Sequence, residues 1–244
     1  MKQEIIDKLN EIEKKERVKI IYAVESGSRA WGFESEDSDC DIRFIYVREK
    51  EDYLRLDERS DVIECPIDPV WDISGWDIKK ALKLLYKSNP SLLEWFASPI
   101  IYKEEKKVSY IREIIPIYFS QKKSYYHYQR MARMHFKYIN KEEILVKKYL
   151  YILRALLACQ YIIDYKKQPP IEIEKLIEYE LPIELREDMD KLLVIKKNNN
   201  EKKYVGHIHS LDHFIESCLK EVDVSFAEDE VSWDMLNQVF RKLI

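Results

Sequence analysis

The sequence has little glycine and little cysteine, and it contains no long apolar run. Only 4 of its 244 residues are glycine, which favours a helix-rich chain with few irregular loops. The 4 cysteines are scattered and form no C-x-x-C pair, so we expect a reducing, cytoplasmic environment and neither a zinc ribbon nor a redox centre. No apolar run approaches about 18 residues, and residues 1–10 are polar and charged, so neither a membrane span nor a signal peptide is predicted.

Charge is abundant but unevenly distributed. Residues 31–80 carry 15 acidic and 7 basic side chains, whereas residues 101–170 carry 6 acidic and 15 basic ones. A polyphosphate ligand would suit such a chain, if the acidic part binds metal ions and the basic part contacts phosphate groups. The alternative is that these charges only solvate helix faces, which explains most of the lysines.

A Gly-Ser pair opens the most informative stretch, residues 25–47. Gly27 and Ser28 come directly after the apolar run 20–24, which reads as a strand. A glycine at such a turn lets backbone N–H groups approach an anion closely, and the serine adds a hydroxyl group. A turn glycine on its own is usually structural, so the pair is informative only in combination with acidic residues further along the chain.

Two spaced aspartates supply those acids. Asp39 and Asp41 open a second apolar run, 42–47, and on a strand their side chains would share one face. Two adjacent carboxylates repel each other unless a cation lies between them, and Mg²⁺ prefers such oxygen ligands. A phosphate-binding turn beside a carboxylate pair predicts a phosphoryl- or nucleotidyl-transfer site.

A third carboxylate is expected at Asp72, which lies between Trp71 and Ile73. An unpaired acid would be costly to bury in that apolar setting. The alternative is that Asp72 only ends a strand before a helix, for which Ser74 and Asp77 have capping-box spacing. Because that gives Asp77 a local role, Asp72 is the preferred ligand, and Asp77 and Glu94 are the next acids to consider.

These motifs resemble those of the DNA polymerase β-like nucleotidyltransferase superfamily. The resemblance rests on G-S-R-A-W-G at 27–32, S-D-C-D at 38–41 and the later acid. Within the superfamily, the chain is similar to a family of predicted nucleotidyltransferases that includes RNA-ligase-associated members. The stretches 72–82 and 88–102 extend the similarity, which spans roughly residues 18–170.

The resemblance implies a Mg²⁺-dependent nucleotidyltransferase that moves a nucleoside monophosphate from a triphosphate to an acceptor hydroxyl. Asp39, Asp41 and Asp72 would bind two Mg²⁺ ions, or Mn²⁺ in their place. The nucleotide phosphates would be held by Gly27 and Ser28. Apart from the resemblance, Arg29 and Arg43 are candidates to supply positive charge to these phosphates. The acceptor is RNA, a small molecule or a protein, with RNA preferred. The alternative function is a non-catalytic nucleotide-binding or protein-neutralising module with the same fold.

The periodicity of the chain predicts an α+β fold, with a small mixed β-sheet domain and flanking helices followed by an all-helical domain. The expected domains are 1–105, catalytic, and 106–244, helical. Strands are predicted at 18–24 and 39–47, and strand signals vanish after about residue 110. Helices are predicted over 3–14, 74–87, 107–139, 142–166, 171–180, 182–197, 207–222 and 230–243, with a further helix that begins at Pro90 after Asn89 as its cap.

Two stretches of the helical part combine basic and aromatic residues, which can contact phosphates and stack on bases. The same tyrosines could equally be amphipathic core residues. The candidate acceptor or phosphate contacts are Lys122, Lys123, Arg130, Arg133, Lys147, Tyr151 and Arg154. The H-x-H-x-x-x-H pattern at 207–213 has metal-like spacing, but without a committed acid ligand nearby a surface helix start is the preferred interpretation.

Overall fold

The computed structural model describes residues 2–66, 68, 70–137, 139, 142–220, 224–226 and 230–244. The chain forms two compact units. The sheet unit comprises Met1–Ala30, Asp39–Phe119 and Glu230–Ile244, and the helical unit comprises Trp31–Ser38 and Ser120–Asp229. The predicted domains, a catalytic domain at 1–105 and a helical domain at 106–244, stay a prediction.

The sheet unit contains five strands, six α-helices and two short 3-10 helices among its described residues. The strands are β1 (Lys19–Glu25), β2 (Cys40–Val47), β3 (Val62–Glu64), β4 (Trp71–Asp77) and β5 (Ile101–Glu104). The helices are α1 (Lys2–Glu16), α2 (Gly27–Trp31), α3 (Ile78–Tyr86), α4 (Pro90–Ala97), α5 (Ser109–Tyr118) and, near the C-terminal end, Asp234–Leu243.

The strands form one mixed sheet in the order β3-β4-β2-β1-β5. Strands β2 and β4 are parallel, with Asp41 paired to Asp72, while the other neighbours are antiparallel. Parallel neighbours start at the same edge of a sheet. The parallel register therefore brings the second and third predicted carboxylates side by side, although they are far apart in sequence.

Both faces of the sheet are buried. Ile42, Phe44 and Tyr46 of β2 share one apolar cluster with α1, whereas Ile45 and Val47 belong to a second cluster with α3, α4 and α5. This alternation follows from the two-residue period of a strand. Burial on both faces gives a rigid platform on which residues at the strand ends can be placed accurately.

The predicted helix start at Ser74 is wrong. Strand β4 continues through Ser74 to Asp77, and α3 begins at Ile78. Asp77 is the N-cap itself, because its side chain accepts a hydrogen bond from the Lys79 N–H. The predicted start of α4 is confirmed, with Asn89 as the cap and Pro90 in the first turn.

The helical unit contains the short strands β6 (Ile144–Leu145) and β7 (Tyr204–Val205), which pair with each other. Its helices are α6 (Gln121–Phe136), α7 (Val146–Tyr165), α8 (Ile173–Glu180), α9 (Arg186–Lys197) and α10 (His209–Leu219), so that the C-terminal helix is α11. The predicted single helix over 107–139 is wrong, because the chain is extended at Phe119 and Ser120 caps a new helix.

The predicted α+β class, a mixed sheet with flanking helices and a helical part, is confirmed. Helix α7 is the centre of the helical unit, since apolar residues such as Leu150, Leu153 and Leu157 are fully buried along it. Among the described residues, every helix is too short or too polar to span a bilayer.

Candidate active site

The end of β1 and the starts of β2 and β4 lie together at one edge of the sheet. The Ser26 N–H donates to the Asp41 carbonyl oxygen over 2.8 Å, and α2 begins at the next residue, Gly27. Asp72 lies beside Asp41 on the neighbouring strand. The structure thus places the Gly-Ser turn and two of the three predicted carboxylates in one region.

Only glycine fits at position 27, because the backbone there lies against the Asp41 side chain. Gly27 has a φ of +60°, a conformation that favours glycine. A Cβ atom at this position would lie 1.9 Å from Asp41 Oδ2 and 2.8 Å from Asp41 Cγ. The backbone of the turn is therefore packed directly against the carboxylate, which is a closer relationship than the sequence predicts.

Arg43 lies between the two paired carboxylates. Its Nη2 is 2.9 Å from Asp41 Oδ1 and 2.6 Å from Asp72 Oδ2, and its Nη1 donates to the Asp72 carbonyl oxygen over 2.7 Å. Only 17% of the Arg43 side chain is exposed. The two carboxylates therefore converge on one cationic group, and Arg43 fixes their separation.

The surroundings of Asp41 disfavour the ionised form of its carboxyl group. Burial raises the pKa of Asp41, Arg43 partly offsets this, and the nearby Asp39 and Asp72 charges raise it again, to about 6. Asp72 is different, since 55% of its side chain is exposed. The apolar neighbours Trp71 and Ile73 thus do not bury the Asp72 side chain, which lies beside Asp41.

Asp39 lies just before β2 and is exposed. Its carbonyl oxygen accepts a hydrogen bond from Arg29 Nε over 3.1 Å, which ties the second half of the motif to α2. Ser28 is buried, 8% exposed, in the same short helix.

Carboxylate oxygens are suitable ligands for a hard divalent cation, and those of Asp41 and Asp72 already converge on one positive group. Within the described ranges, however, no group of three or more acidic, histidine or cysteine side chains is arranged to hold a metal ion. The fit to a divalent cation therefore rests on the two carboxylates of Asp41 and Asp72, and a cation bound there would compete with Arg43 for the same oxygens.

Glu25 is a site residue that the sequence reasoning missed. It is fully buried at the end of β1, where Oε1 accepts the Asp41 N–H over 2.8 Å and Oε2 accepts the Tyr102 hydroxyl. Burial raises the pKa of Glu25, against the effect of these hydrogen bonds. An acid directly after a five-residue apolar run and before the glycine turn was the available signal.

The other acids considered from sequence have different positions. Asp77 is at the far end of β4 from Asp72, a separation of roughly 16 Å along a strand. It is 4% exposed and accepts a hydrogen bond from the Tyr53 hydroxyl over 2.9 Å. Glu94 lies on α4. Asp77 is therefore a structural residue of the α3 cap.

Four of the predicted basic contacts lie on the exposed side of α6, and we call them the α6 basic face. Arg133 also donates to the Leu219 carbonyl oxygen over 3.0 Å. The members of this face are Lys122, Lys123, Arg130 and Arg133.

The three candidates on α7 are engaged inside the helical unit. Arg154 is 2% exposed, its Nε donates to the Ile171 carbonyl oxygen over 3.1 Å, and its guanidinium lies 4.1 Å from the Trp31 ring centroid. Tyr151 packs edge-on against Trp31, and Lys147 pairs with Glu201 at 3.2 Å. Arg154 is too buried to contact an acceptor.

The H-x-H-x-x-x-H pattern gives a hydrogen-bonded pair. His207 Nδ1 is 2.8 Å from Asp212 Oδ2, and the other Asp212 oxygen accepts the hydroxyl of the buried Tyr149. Asp212 thereby joins the start of α10 to α7.

Comparison with known proteins places this geometry in a family. The family model of the RNA repair pathway DNA polymerase beta family, RlaP, matches residues 1–242. The uncharacterized protein YcgL of Bacillus subtilis (strain 168) is 45% identical over 225 residues, which cover 91% of this chain and 86% of YcgL. The resemblance predicted from the motifs is confirmed, and the chain belongs to the RNA repair pathway DNA polymerase beta family of polymerase β-like nucleotidyltransferases.

Proposed function

We propose that the protein is a divalent-metal-dependent nucleotidyltransferase. An acceptor hydroxyl attacks the α-phosphate of a nucleoside triphosphate, a new P–O bond forms, the bond to the β-phosphate oxygen breaks, and pyrophosphate leaves. The hydroxyl proton passes to water. The observation that carries the proposal is the convergence of Asp41 and Asp72 on one positive group, beside a turn that is packed against Asp41.

Asp39, Asp41 and Asp72 are the residues that would hold the metal, Mg²⁺ being the expected ion and two ions the expected number. Bound there, it would neutralise phosphate charge and lower the pKa of the attacking hydroxyl. Glu25 holds the backbone of Asp41 in place through its 2.8 Å hydrogen bond. Arg43 sets the spacing of Asp41 and Asp72.

The nucleotide phosphates are assigned to Gly27 and Ser28, with Arg29 as a source of positive charge. Arg29 lies on the same helix as Ser28 and is oriented by its bond to the Asp39 carbonyl oxygen. Preorganised donors and charges stabilise the developing negative charge without having to reorganise during the reaction.

We propose RNA as the acceptor. Two observations support this choice: the family is associated with RNA repair, and the α6 basic face presents four exposed positive side chains. Each contact of such a side chain with a phosphate releases counterions, which makes RNA binding salt-dependent.

A non-catalytic nucleotide-binding module is the second candidate, and one observation favours it. A cluster of acids without metal would normally be unfavourable because of mutual repulsion. Here Arg43 offsets the repulsion between Asp41 and Asp72, so the chain can retain these acids without using them in catalysis.

The deciding experiment incubates the protein with each α-labelled nucleoside triphosphate, Mg²⁺ and total RNA. The wild type should transfer label to RNA, and the variant Asp39→Asn/Asp41→Asn should neither transfer label nor bind triphosphate in a Mg²⁺-dependent manner. The matched control, Asp7→Asn/Glu11→Gln, removes two exposed acids from α1 and should behave as wild type.

The possible results separate the assignments. Mg²⁺-dependent triphosphate binding without transfer to any acceptor would favour the binding module. Undiminished Mg²⁺-dependent affinity in the folded Asp39→Asn/Asp41→Asn protein would refute the metal assignment.

A further inference from the structure

The segment Trp31–Ser38, in the middle of the site motif, is packed into the helical unit. Its neighbours in sequence, Ala30 and Asp39, belong to the sheet unit. Apart from its first residue, the segment contains no helix or strand. One backbone hydrogen bond, from the Ser38 N–H to the Ser35 carbonyl oxygen over 3.1 Å, lies within it, and its side chains make the contacts that hold it in place.

Aromatic contacts hold the first half of the segment. Phe33 is fully buried, and the Trp31 and Phe33 ring centroids lie 5.5 and 6.2 Å from that of Tyr151. The Trp31 ring also contacts Arg154, whose guanidinium lies 4.1 Å from the ring centroid. The tyrosine and arginine that the sequence suggested as nucleic-acid contacts instead bind this segment.

A buried ion pair holds the second half. The Lys196 side chain is 1% exposed, and its Nζ lies 2.5 Å from Glu201 Oε1 and 2.8 Å from Ser35 Oγ. The Ser38 hydroxyl donates to the same Glu201 oxygen over 2.6 Å. In return, the Glu201 N–H donates to Asp37 Oδ1 over 3.0 Å. Three polar residues of the segment thus converge on Lys196 and Glu201.

Burial requires the Lys196 and Glu201 side chains to stay paired with each other. A lysine buried to this extent is tolerated only when it is paired and hydrogen-bonded. Burial alone would raise the pKa of Glu201, but hydrogen bonds from Lys196 and Ser38 and the charge of Lys196 lower it to about 2. Lys147 adds a contact to the second carboxylate oxygen at 3.2 Å. Glu201 therefore remains ionised at neutral pH, and its contacts with Lys196, Ser38 and Asp37 anchor the segment.

We propose that Lys196 and Glu201 are positioning residues for nucleotidyl transfer, because they fix the segment that connects the phosphate-binding turn to the metal-binding aspartates. The inference rests on the proposed function. The segment begins within α2, which contains Gly27 and Ser28, and it ends at the residue before Asp39. A fixed segment restrains the separation of its two ends, which adjoin the two halves of the motif. Loosening the segment would remove that restraint, and a misplacement of about 1 Å can cost roughly 10²-fold in rate.

Two variants test the inference from opposite sides. Ser35→Ala/Ser38→Ala removes hydroxyls of the segment and leaves the Lys196–Glu201 pair intact. Lys196→Met/Glu201→Gln removes both charges and keeps side chains of similar volume, which avoids an uncompensated buried charge. The matched control is Lys191→Met/Glu187→Gln, which removes an exposed ion pair of the same helix, α9, with a 2.8 Å contact.

The measurements are hydrogen exchange and a single-turnover rate with enzyme in excess. Both test variants should show exchange about tenfold faster in residues 31–38 than wild type, with little change in α7. Their rate constant should fall by about 10²-fold. A variant that is only less stable would lose amplitude and keep its rate constant, so this readout separates positioning from stability. The control should match wild type in both measurements.

Two results would overturn the inference while leaving the proposed function in place. The first is faster exchange at 31–38 with a wild-type rate constant, and the second is unchanged exchange in both variants. If the wild type itself transfers no label with any triphosphate, the proposed function fails and the inference fails with it.

Discussion

Replacing Gly27 with alanine tests whether the position of the Asp41 carboxylate matters for chemistry. Gly27 has a φ of +60°, and a Cβ atom there would lie 1.9 Å from Asp41 Oδ2. Ordinary contacts start at 3.4 Å, so the oxygen must withdraw by roughly 1.5 Å. Because the clash is with the end of a side chain, Asp41 can rotate away. That rotation disrupts its 2.9 Å contact with Arg43 Nη2.

The cost should therefore appear in the rate more than in stability. The left-handed backbone conformation costs about 1–2 kcal/mol for a residue other than glycine. Displacement of a catalytic group by more than about 1 Å should lower the rate by about 10²-fold or more. The free energy of unfolding is measured in urea, and the rate is measured in single turnover with Mg²⁺ and the accepted triphosphate.

Gly206→Ala is the control for an added methyl group outside the site. No described heavy atom lies within 4 Å of a Cβ built at Gly206, so this variant should keep both its stability and its rate. Gly27→Ala should lose about 1–2 kcal/mol of stability from backbone strain and should also lose the rate. A wild-type rate in folded Gly27→Ala would show that the position of the Asp41 carboxylate does not matter for the chemistry.

Three further predictions concern separate parts of the chain. Asp72→Asn should lower turnover by several orders of magnitude and barely change triphosphate affinity, the pattern of a group that acts in the transition state; near-normal turnover would remove Asp72 from the mechanism. Neutralising the α6 basic face should weaken RNA binding and flatten its dependence on salt, whereas unchanged salt slopes would exclude RNA contact there. Burial, together with Asp164, raises the pKa of Glu180 from 4.5 to about 7, so the folded state holds a proton that the unfolded state loses as pH rises between these values. Stability should fall over that range, and Glu180→Gln should reduce the fall in urea midpoint; an identical pH profile would contradict the shift.

The sequence predicts those elements whose local pattern and tertiary environment agree. Strand β2 and the start of α4 are examples, since the apolar run 42–47 and the Asn-Pro start leave little choice. Strand β5 is not predictable in this way, because Ile101–Glu104 is a short polar-apolar mixture that becomes a strand by pairing with β1. Tertiary pairing of this kind overrides weak local preference.

Predicted helix boundaries are wrong where two signals compete. Ser74 has the spacing of a cap, but the parallel pairing with β2 extends β4 to Asp77. The break near Phe119 is signalled by Pro116 and Ser120, because proline weakens a helix and serine favours a cap. The apolar pattern continues on both sides of the break, and this continuity predicts a single helix.

For the candidate site, the sequence could identify the acids but not their partners. The apolar runs next to Asp41 and Asp72 mark both as starts of strands. That Arg43 lies between them depends on the parallel register of β2 and β4, which no local pattern encodes. Glu25 was missed for a related reason, since its contacts with Asp41 and Tyr102 connect residues from three strands.

The charge balance of the site bears on how a triphosphate can bind there. Asp39, Asp41 and Asp72 carry three negative charges when ionised, whereas Arg43, between two of them, and Arg29, beside Asp39, supply two positive charges. A pKa of about 6 leaves Asp41 mainly ionised at neutral pH. The remaining negative charge would repel a polyphosphate, because like charges at this range interact unfavourably. Triphosphate binding at this edge of the sheet should therefore require a divalent cation. A chain that bound triphosphate equally well with and without Mg²⁺ would have to bind it elsewhere.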